Sequence, residues 1–212
     1  VPLSIKGGFN GILNNRFSFD LYTGYALLRG MQQFVNYYGT DEKEENGTEF
    51  ITAYSNHSKV MCGLFAAWSN RNIEIGITAE YNLYSNGKSG LINGEREFSG
   101  NHPIGPSPFN ALFHFAYKND DGWYITSSAI FRGRSWSGLE YVYTGETING
   151  KPIDGRIKSP AYADLRIDFS YPINDNISLL FNCSNLLNSN IQYYSQYLKK
   201  GREIGAGVVV KF

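Results

Sequence analysis

The chain has 212 residues, with 19 lysines and arginines against 19 aspartates and glutamates, so its formal net charge is zero. A balanced charge gives no electrostatic indication of nucleic-acid binding, and two cysteines, Cys62 and Cys183, are too few for a disulfide framework. Aromatic residues make up 16% of the chain, which excludes disorder. The abundant glycine, tyrosine, serine and threonine favour strands and turns over helices.

Alternation of apolar and polar residues with a period of two is the main pattern along the chain. It is clearest in residues 163–171, where Ala, Leu, Ile, Phe and Tyr alternate with Asp, Arg, Asp and Ser. The pattern predicts nine strands. They cover residues 3–13, 16–37, 49–69, 72–85, 107–118, 122–136, 161–172, 176–186 and 201–212.

The predicted connections alternate between short and long. Short polar turns fall at residues 14–15, 69–72, 119–122 and 174–176. Long polar loops fall at residues 38–48, 86–106, 137–160 and 187–200. Outer-membrane β-barrels have this asymmetry, with short periplasmic turns and long extracellular loops. Several predicted strands also exceed the usual length of about 5–6 residues, and a tilted membrane strand needs about 9–11.

The apolar face of the predicted strands could meet either membrane lipid or the core of a soluble protein. No stretch is apolar enough for a membrane helix, and the mean hydropathy of −0.32 fits barrel strands because their two faces average out. The opposite face carries mixed charges, which suits either a wet barrel interior or the solvent face of a soluble sheet, and the alternation leaves both open. Aromatic residues near strand ends favour the barrel, as predicted interfacial girdles. They are Tyr25, Trp68, Tyr81, Tyr84, Tyr117, Trp123, Trp136 and Tyr171.

The last strand carries a further indication. Its alternate residues from Ile204 to Phe212 are apolar, and the chain ends on the aromatic Phe212. This resembles the signal that the outer-membrane barrel insertion machinery reads, with Gly207 and Val210 at matching positions. Gly205 stands where that pattern has a polar residue. The alternative is an ordinary last strand.

The strand count predicts a fragment. A complete bacterial barrel has an even number of strands with both termini in the periplasm, whereas nine strands place the start of this chain outside. Residues 1–4 carry neither an initiator methionine nor a signal-peptide pattern. We therefore expect residues 1–212 to be the C-terminal part of a larger transmembrane barrel domain, because an open sheet would expose unpaired edges in lipid.

The last fifty residues resemble TonB-dependent outer-membrane receptors. The resemblance lies in residues 162–169, the turn at 174–176, the segment Asn185-Leu186-Leu187-Asn188, a tyrosine-rich loop and Gly201-Arg202 before the final strand. Leu187 and Asn188 replace the commoner Phe and Asp. The Asn- and Tyr-rich composition and the early segment Lys6-Gly7-Gly8-Phe9 are similar to receptors of the Bacteroides type.

The resemblance implies a barrel of about 22 strands, closed by an N-terminal plug domain, that takes up a scarce nutrient such as a metal chelate, a vitamin or an oligosaccharide. It also implies the partners: outer-membrane lipid, the remaining strands and plug of the same receptor, TonB acting through an N-terminal part, and the barrel insertion machinery. The plug and the N-terminal strands would lie outside residues 1–212.

The sequence carries no pattern of enzyme chemistry. His57, His102 and His114 are far apart, so we predict no metal site, and no nucleotide-binding or hydrolase motif predicts a cofactor or a catalytic residue. Asp164 and Asp168 flank Arg166, which is typical of a salt-bridge ladder, although an acid/base pair is the alternative.

Ligand contacts are predicted on the polar face and in the long loops. Arg132 and Arg134 are predicted to face the barrel interior, where they would attract an anion. Tyrosines in the loops offer stacking faces for a sugar or an aromatic ring: Tyr141, Tyr143, Tyr193, Tyr194 and Tyr197. Two other functions compete with transport. One is a small self-contained barrel with a structural or adhesive role, and the other, ranked last, is an outer-membrane enzyme of the phospholipase or protease kind.

Overall fold

Nine long strands form one antiparallel sheet in the computed structural model, each hydrogen-bonded to its neighbours in chain order. The strands are β1 (Leu3–Leu13), β2 (Phe17–Tyr38), β3 (Thr48–Ser69), β4 (Ile73–Tyr84), β5 (Phe109–Lys118), β6 (Tyr124–Arg132), β7 (Tyr162–Pro172), β8 (Ile177–Ser184) and β9 (Glu203–Val210). The nine predicted strands are therefore confirmed, with bounds close to those that the alternation indicates.

The structure describes residues 3–38, 48–85, 91–92, 96–97, 103, 105–137, 147–148, 151–152, 157–194, 197–198 and 201–212. Four small two-stranded pairs accompany the sheet: Leu91–Ile92 with Arg96–Glu97, Ser135–Ser137 with Ile157–Ser159, Thr147–Ile148 with Lys151–Pro152, and Gln192–Tyr194 with Tyr197–Leu198. Across these residues there is no helix with the length and apolar character to cross a membrane.

The strand predicted over residues 122–136 ends earlier than expected. Its pairing in the main sheet stops at Arg132, and Ser135–Ser137 pairs instead with Ile157–Ser159. Ser107 lies at the break, because its single O–H is shared between two carbonyl oxygens, that of Phe109 at 2.7 Å and that of Gly133 at 3.0 Å. The Gly133 carbonyl is thus satisfied by a side chain rather than by a neighbouring strand, and the chain leaves the sheet.

Asparagines shape the short turns. Asn14 and Asn15 both have φ of 52°, the left-handed conformation at the two central residues of a tight turn, which Arg16 N closes by donating to the Leu13 carbonyl at 3.1 Å. In two other turns an asparagine side chain caps the backbone: Asn70 Oδ1 accepts from Ile73 N at 2.7 Å, and Asn174 Oδ1 accepts from Ile177 N at 2.8 Å. These turns fix the register of the strands that they join.

The register sorts the side chains of the sheet onto an apolar face and a polar face. Paired residues of neighbouring strands point to the same side, so that rows of side chains run across the sheet. One row of the apolar face consists of Phe19, Ala66, Ile77, Phe113, Ala129 and Leu165. One row of the polar face consists of Gly8, Tyr22, Gly63, Glu80, Asn110, Arg132 and Tyr162.

The apolar face of the sheet is exposed over its length. On the apolar face Ile77 is 41% exposed and Phe113 is 38% exposed, whereas the polar residues Asn82 and Ser170 are 3% and 7% exposed. Among the described residues, no second layer covers the apolar face, although a soluble sheet buries such a face against another element. Strands with an apolar outer face and a polar inner face are typical of membrane barrels.

Aromatic residues line the apolar face near the short turns. The ring centroids of Tyr117 and Trp123 are 5.3 Å apart, and those of Trp123 and Phe169 are 5.9 Å apart. Two of the predicted girdle residues are placed elsewhere. Tyr84 pairs with Lys59 on the polar face, because it occupies an even position on a strand whose odd positions are apolar. Trp136 lies beyond β6 in Ser135–Ser137, outside the main sheet.

Candidate functional site

Tyr22 lies across the polar face of the sheet and bridges strands that are not neighbours. Gly8 and Gly63 flank it in the register, and a Cβ atom on Gly63 would overlap the Tyr22 ring. The ring can therefore cross β3, and its hydroxyl donates to Glu80 Oε2 on β4 at 2.5 Å. Glycine at position 63 is required by this close approach.

Glu80 is the centre of a group of contacts that we call the polar cluster: Lys6, Tyr22, Lys59, Glu80 and Asn82. Besides the Tyr22 hydroxyl, the carboxylate accepts a hydrogen bond from Asn82 Nδ2 at 2.8 Å and lies 4.0 Å from Lys59 Nζ. Lys59 Nζ also donates to Asn82 Oδ1 at 3.1 Å. Donors on both carboxylate oxygens and a nearby cation hold the Glu80 side chain in one orientation.

Lys6 adds a second cation to the polar cluster. Its Nζ atom lies 4.7 Å from the centroid of the Tyr22 ring, within the range of a cation–π interaction. The cluster thus contains two ammonium groups, of Lys6 and Lys59, and one carboxylate, of Glu80. Asp20 lies on the same face of β2, two residues from Tyr22, and adds a second carboxylate beside the cluster, so the cationic and anionic groups here are balanced.

Residues 105–108 fold over the ends of β4, β5 and β6, at the edge of the sheet where the long connections lie. Arg132 donates a hydrogen bond to the Gly105 carbonyl, and Gly105 N donates to the Trp136 carbonyl at 2.8 Å. Asn82 N donates to the Pro108 carbonyl at 2.6 Å. These bonds fix residues 105–108 against three strand ends.

The fixed segment encloses a cavity of about 450 Å³, which we call the rim cavity. Its walls combine aromatic and proline surfaces with a few polar groups. They include Asn82, Tyr84, Pro106, Arg134 and Trp136. Ligand sites commonly have a volume of about 300–1,000 Å³ and this mixture of apolar walls with few polar groups. The rim cavity shares Asn82 with the polar cluster, so the two features are continuous.

The two arginines predicted as ligand contacts are placed in different roles. Arg132 is on the polar face, as predicted, but its guanidinium binds the Gly105 carbonyl and so shapes the rim cavity. Arg134 is exposed and lines the rim cavity. Their contact with a ligand stays a prediction.

The predicted loop tyrosines are not brought together by the described residues. Tyr141 and Tyr143 lie outside those residues. Tyr194 pairs with Tyr197 through the backbone in a small hairpin that also contains Tyr193. The structure describes the backbone of these three residues and not their side chains. Their predicted stacking role remains untested.

The residues of the predicted insertion signal end the sheet. Gly207 pairs with Leu180 and Val210 pairs with Ile177 in the last strand pair. Val210 is 48% exposed on the apolar face, and Phe212 is fully exposed beyond the strand. Recognition of these residues by the insertion machinery stays a prediction.

The segment that carries the family resemblance forms a hydrogen-bonded lock between β7, β8 and β9. Asn185, 1% exposed, accepts from Ser189 N at 2.8 Å and donates to the Ser189 carbonyl at 3.0 Å. Its backbone N–H donates to Asp164 Oδ1 at 3.1 Å. Asn188 Oδ1 accepts from Arg202 N at 3.3 Å. The motif residues Asn185, Asn188 and Arg202 thus have a structural role.

Other polar groups pair along the same face. Arg166 Nε lies 2.9 Å from Asp168 Oδ2, which is one pair of the predicted ladder of Asp164, Arg166 and Asp168, and His114 Nε2 lies 3.5 Å from Glu74 Oε1. In the part of the chain that the structure describes, no three His, Cys, Asp or Glu side chains are grouped so as to hold a metal ion.

Sequence patterns left part of the site unidentified. The even positions of β2 and β4 place Tyr22 and Glu80 on the polar face. That the two side chains meet follows from the structure, in which Gly63 leaves room between them for the Tyr22 ring. Asn82 and Trp136 meet at the rim cavity through the fold of residues 105–108, which no periodicity predicts.

No protein-family model matches the chain, and no curated protein matches it by sequence. Among solved structures, it is similar to the FrpB iron transporter from Neisseria meningitidis, with a TM-score of 0.64, 10% identity and coverage of 100% of this chain and 31% of that one. It is also similar to the copper transporter OprC, with a TM-score of 0.60, 15% identity and the same coverage, 100% and 31%.

These structural neighbours are TonB-dependent outer-membrane transporters. The likeness confirms the predicted fold class, antiparallel strands of the kind found in these barrels. The chain spans about a third of the length of the structures that it matches, 31% of each. At 10–15% identity, the likeness concerns the fold alone.

Proposed function

We propose that the chain is part of the transmembrane barrel of a TonB-dependent outer-membrane transporter, located in the outer membrane of a Gram-negative bacterium. The observation that carries the proposal is the exposed apolar face of the sheet. Ile77 and Phe113 are exposed on one face, where hydrocarbon would solvate them, while charged and amide groups bond to one another on the other face. In a barrel this polar face lines the lumen.

The two edges of the sheet support a larger barrel. Among the described residues, β1 and β9 each pair with a single neighbouring strand. An unpaired strand edge in lipid leaves backbone groups without partners, at a cost of several kcal/mol for each group. Further strands would satisfy both edges. We propose a complete barrel of about 22 strands, to which residues 1–212 contribute the C-terminal part, with a plug domain and further strands supplied by the rest of the protein.

The transported substrate is proposed to be a scarce nutrient: a metal chelate, a vitamin or an oligosaccharide. The two structural neighbours named above transport iron and copper. Energy would come through TonB, and insertion would depend on Gly207, Val210 and Phe212. The asparagine- and tyrosine-rich sequence favours a receptor of the Bacteroides type. The open edges of the sheet disfavour the self-contained adhesive barrel.

Thiol labelling in native outer membranes tests the orientation of the strands. Cys62 pairs with Thr23 and Tyr81 on the apolar face and is exposed. We expect a water-soluble maleimide to leave Cys62 unlabelled in membranes and to label it after solubilisation in urea. In a variant without either cysteine, Asn110→Cys on the polar face should be labelled in membranes. Labelling of Cys62 with protection of Asn110→Cys would refute the proposed orientation.

Uptake by cells tests the transport function. Strains that express the intact protein, with and without TonB, would be supplied with radiolabelled ferric citrate, cupric ion, cyanocobalamin or maltodextrin. We expect one of these probes to accumulate only when both proteins are present. Equal accumulation of every probe without TonB would contradict active transport.

A further inference from the structure

We propose that the rim cavity binds a small aromatic carboxylate. The inference rests on the proposed function, which places the long connections outside the cell and the rim cavity at the outer mouth of the barrel. It narrows the proposed range of nutrients to a molecule, or a part of a molecule, with a planar ring and a negative charge.

The walls of the rim cavity suit a planar ring. Trp136 and Tyr84 provide two aromatic side chains, and Pro103, Pro106 and Pro108 provide rigid apolar surface. Pro103 is almost fully buried, with less than 2% of its surface exposed, and the hydrogen bonds of Gly105 and Pro108 hold the neighbouring prolines in place. Aromatic pairs attract each other beyond the burial of area, which favours an aromatic ring over a saturated ring of equal size.

The charge of the rim cavity suits an anion. Arg134 lines the cavity and is exposed, so that its guanidinium can bind a carboxylate through two parallel hydrogen bonds. The acidic group nearest along the polar cluster is Glu80, and its carboxylate is already bound by Tyr22 and Asn82 with Lys59 close by. The negative charge on Glu80 is therefore balanced within the protein, whereas Arg134 adds positive charge at the cavity.

Buried polar side chains give the rim cavity a fixed shape. Asn82, 3% exposed, lines the cavity with its amide held between Lys59 and Glu80. Ser135, 5% exposed, lines another wall. Polar groups that are buried at a cavity wall and already oriented select among ligands, because a ligand must match them without rearrangement. The polar cluster thereby fixes the orientation of Asn82, the residue that it shares with the rim cavity.

Equilibrium dialysis of the intact protein in detergent tests the proposal with radiolabelled benzoate as the probe. Benzamide removes the charge from benzoate, and cyclohexanecarboxylate removes the aromatic ring. We expect benzoate to bind at one site per chain and both analogues to bind more weakly. Arg134→Gln should weaken benzoate binding by about tenfold or more, the size expected for a lost hydrogen bond to a charged group.

Three further variants make the test specific. Trp136→Leu should weaken benzoate binding and remove the preference for benzoate over cyclohexanecarboxylate, whereas Trp136→Phe should keep that preference. Arg71→Gln is the matched control, because Arg71 is an exposed arginine at the short-turn end, where it pairs with Asp120 at 3.2 Å. It should bind benzoate as the unaltered protein does.

Several results would overturn the inference. They are no binding of benzoate, equal binding of benzamide, saturation by maltodextrin instead, or the same loss of binding in Arg71→Gln as in Arg134→Gln. The thiol labelling of Cys62 and Asn110→Cys separates the two proposals. A protein with the expected labelling that does not bind benzoate retains the proposed transport function and loses only this ligand class.

Discussion

The Tyr22 hydroxyl donates a 2.5 Å hydrogen bond to Glu80 Oε2, although β3 separates the two residues. Gly63 makes the bond possible, because it pairs with both residues and has no side chain to obstruct the Tyr22 ring. A phenol and a carboxylate that meet across a third strand connect β2 to β4 in addition to the backbone ladder. The contact therefore stiffens the polar face where it approaches the rim cavity.

Gly63→Ala should destabilise the protein by about 1–3 kcal/mol, the usual cost of inserting a group into occupied space. The new Cβ atom would overlap the Tyr22 ring and displace its hydroxyl from Glu80. Urea unfolding in lipid vesicles, followed by tryptophan fluorescence, measures the change. Gly7→Ala is the control, since nothing lies within 4 Å of a Cβ atom there. Equal stability of the two variants would contradict this explanation.

Tyr22→Phe should cost about 1.5–3 kcal/mol, the range for a hydrogen bond to a charged group, and the lower end is expected because the site is half-buried. The ring and its contact with Lys6 remain, so the loss isolates the hydroxyl. The same unfolding experiment applies. In the double variant with Glu80→Gln, the two losses should not add, because both substitutions weaken the same bond. Strict additivity would show that the two groups act independently.

Much of the fold could be predicted because the sheet follows local rules. Alternation fixes which face each side chain occupies, and asparagine-rich segments mark the turns, so the nine strands and the Arg166–Asp168 pair follow from neighbouring residues. The break after Arg132 could not be predicted in this way. It depends on the Ser107 hydroxyl, which lies 26 residues from Gly133 along the chain.

The candidate site was predicted less completely for the same reason. The charge of Arg134 predicts a ligand contact, but the position of Trp136 and Tyr84 near strand ends predicts an aromatic girdle and not a cavity wall. The alternation of β4 already places Tyr84 on the polar face. Their meeting at the rim cavity depends on residues 105–108, whose conformation is set by long-range hydrogen bonds.

Asn185→Ala should cost about 2–3 kcal/mol, because it leaves the Ser189 backbone N–H and carbonyl without their partner. Alanine is also strained at a φ of 48°. Asn185→Gly removes the side-chain bonds but tolerates this conformation, so it should be less destabilising than Asn185→Ala. Limited proteolysis between β8 and β9 measures local opening. Unchanged protection in both variants would show that the lock does not hold this connection.

A charge on the apolar face should be far more disruptive than the same charge one residue away on the polar face. Phe113 and Leu112 are adjacent in β5 and are 38% and 43% exposed, so they form a matched pair. Phe113→Arg should lower the free energy of unfolding in lipid vesicles by about 2–4 kcal/mol, because the guanidinium would enter hydrocarbon. Leu112→Arg should have little effect, because its side chain would enter the watery lumen. Equal losses would mean that the two faces meet the same medium, as they would in a sheet surrounded by water, and the membrane orientation would then be wrong.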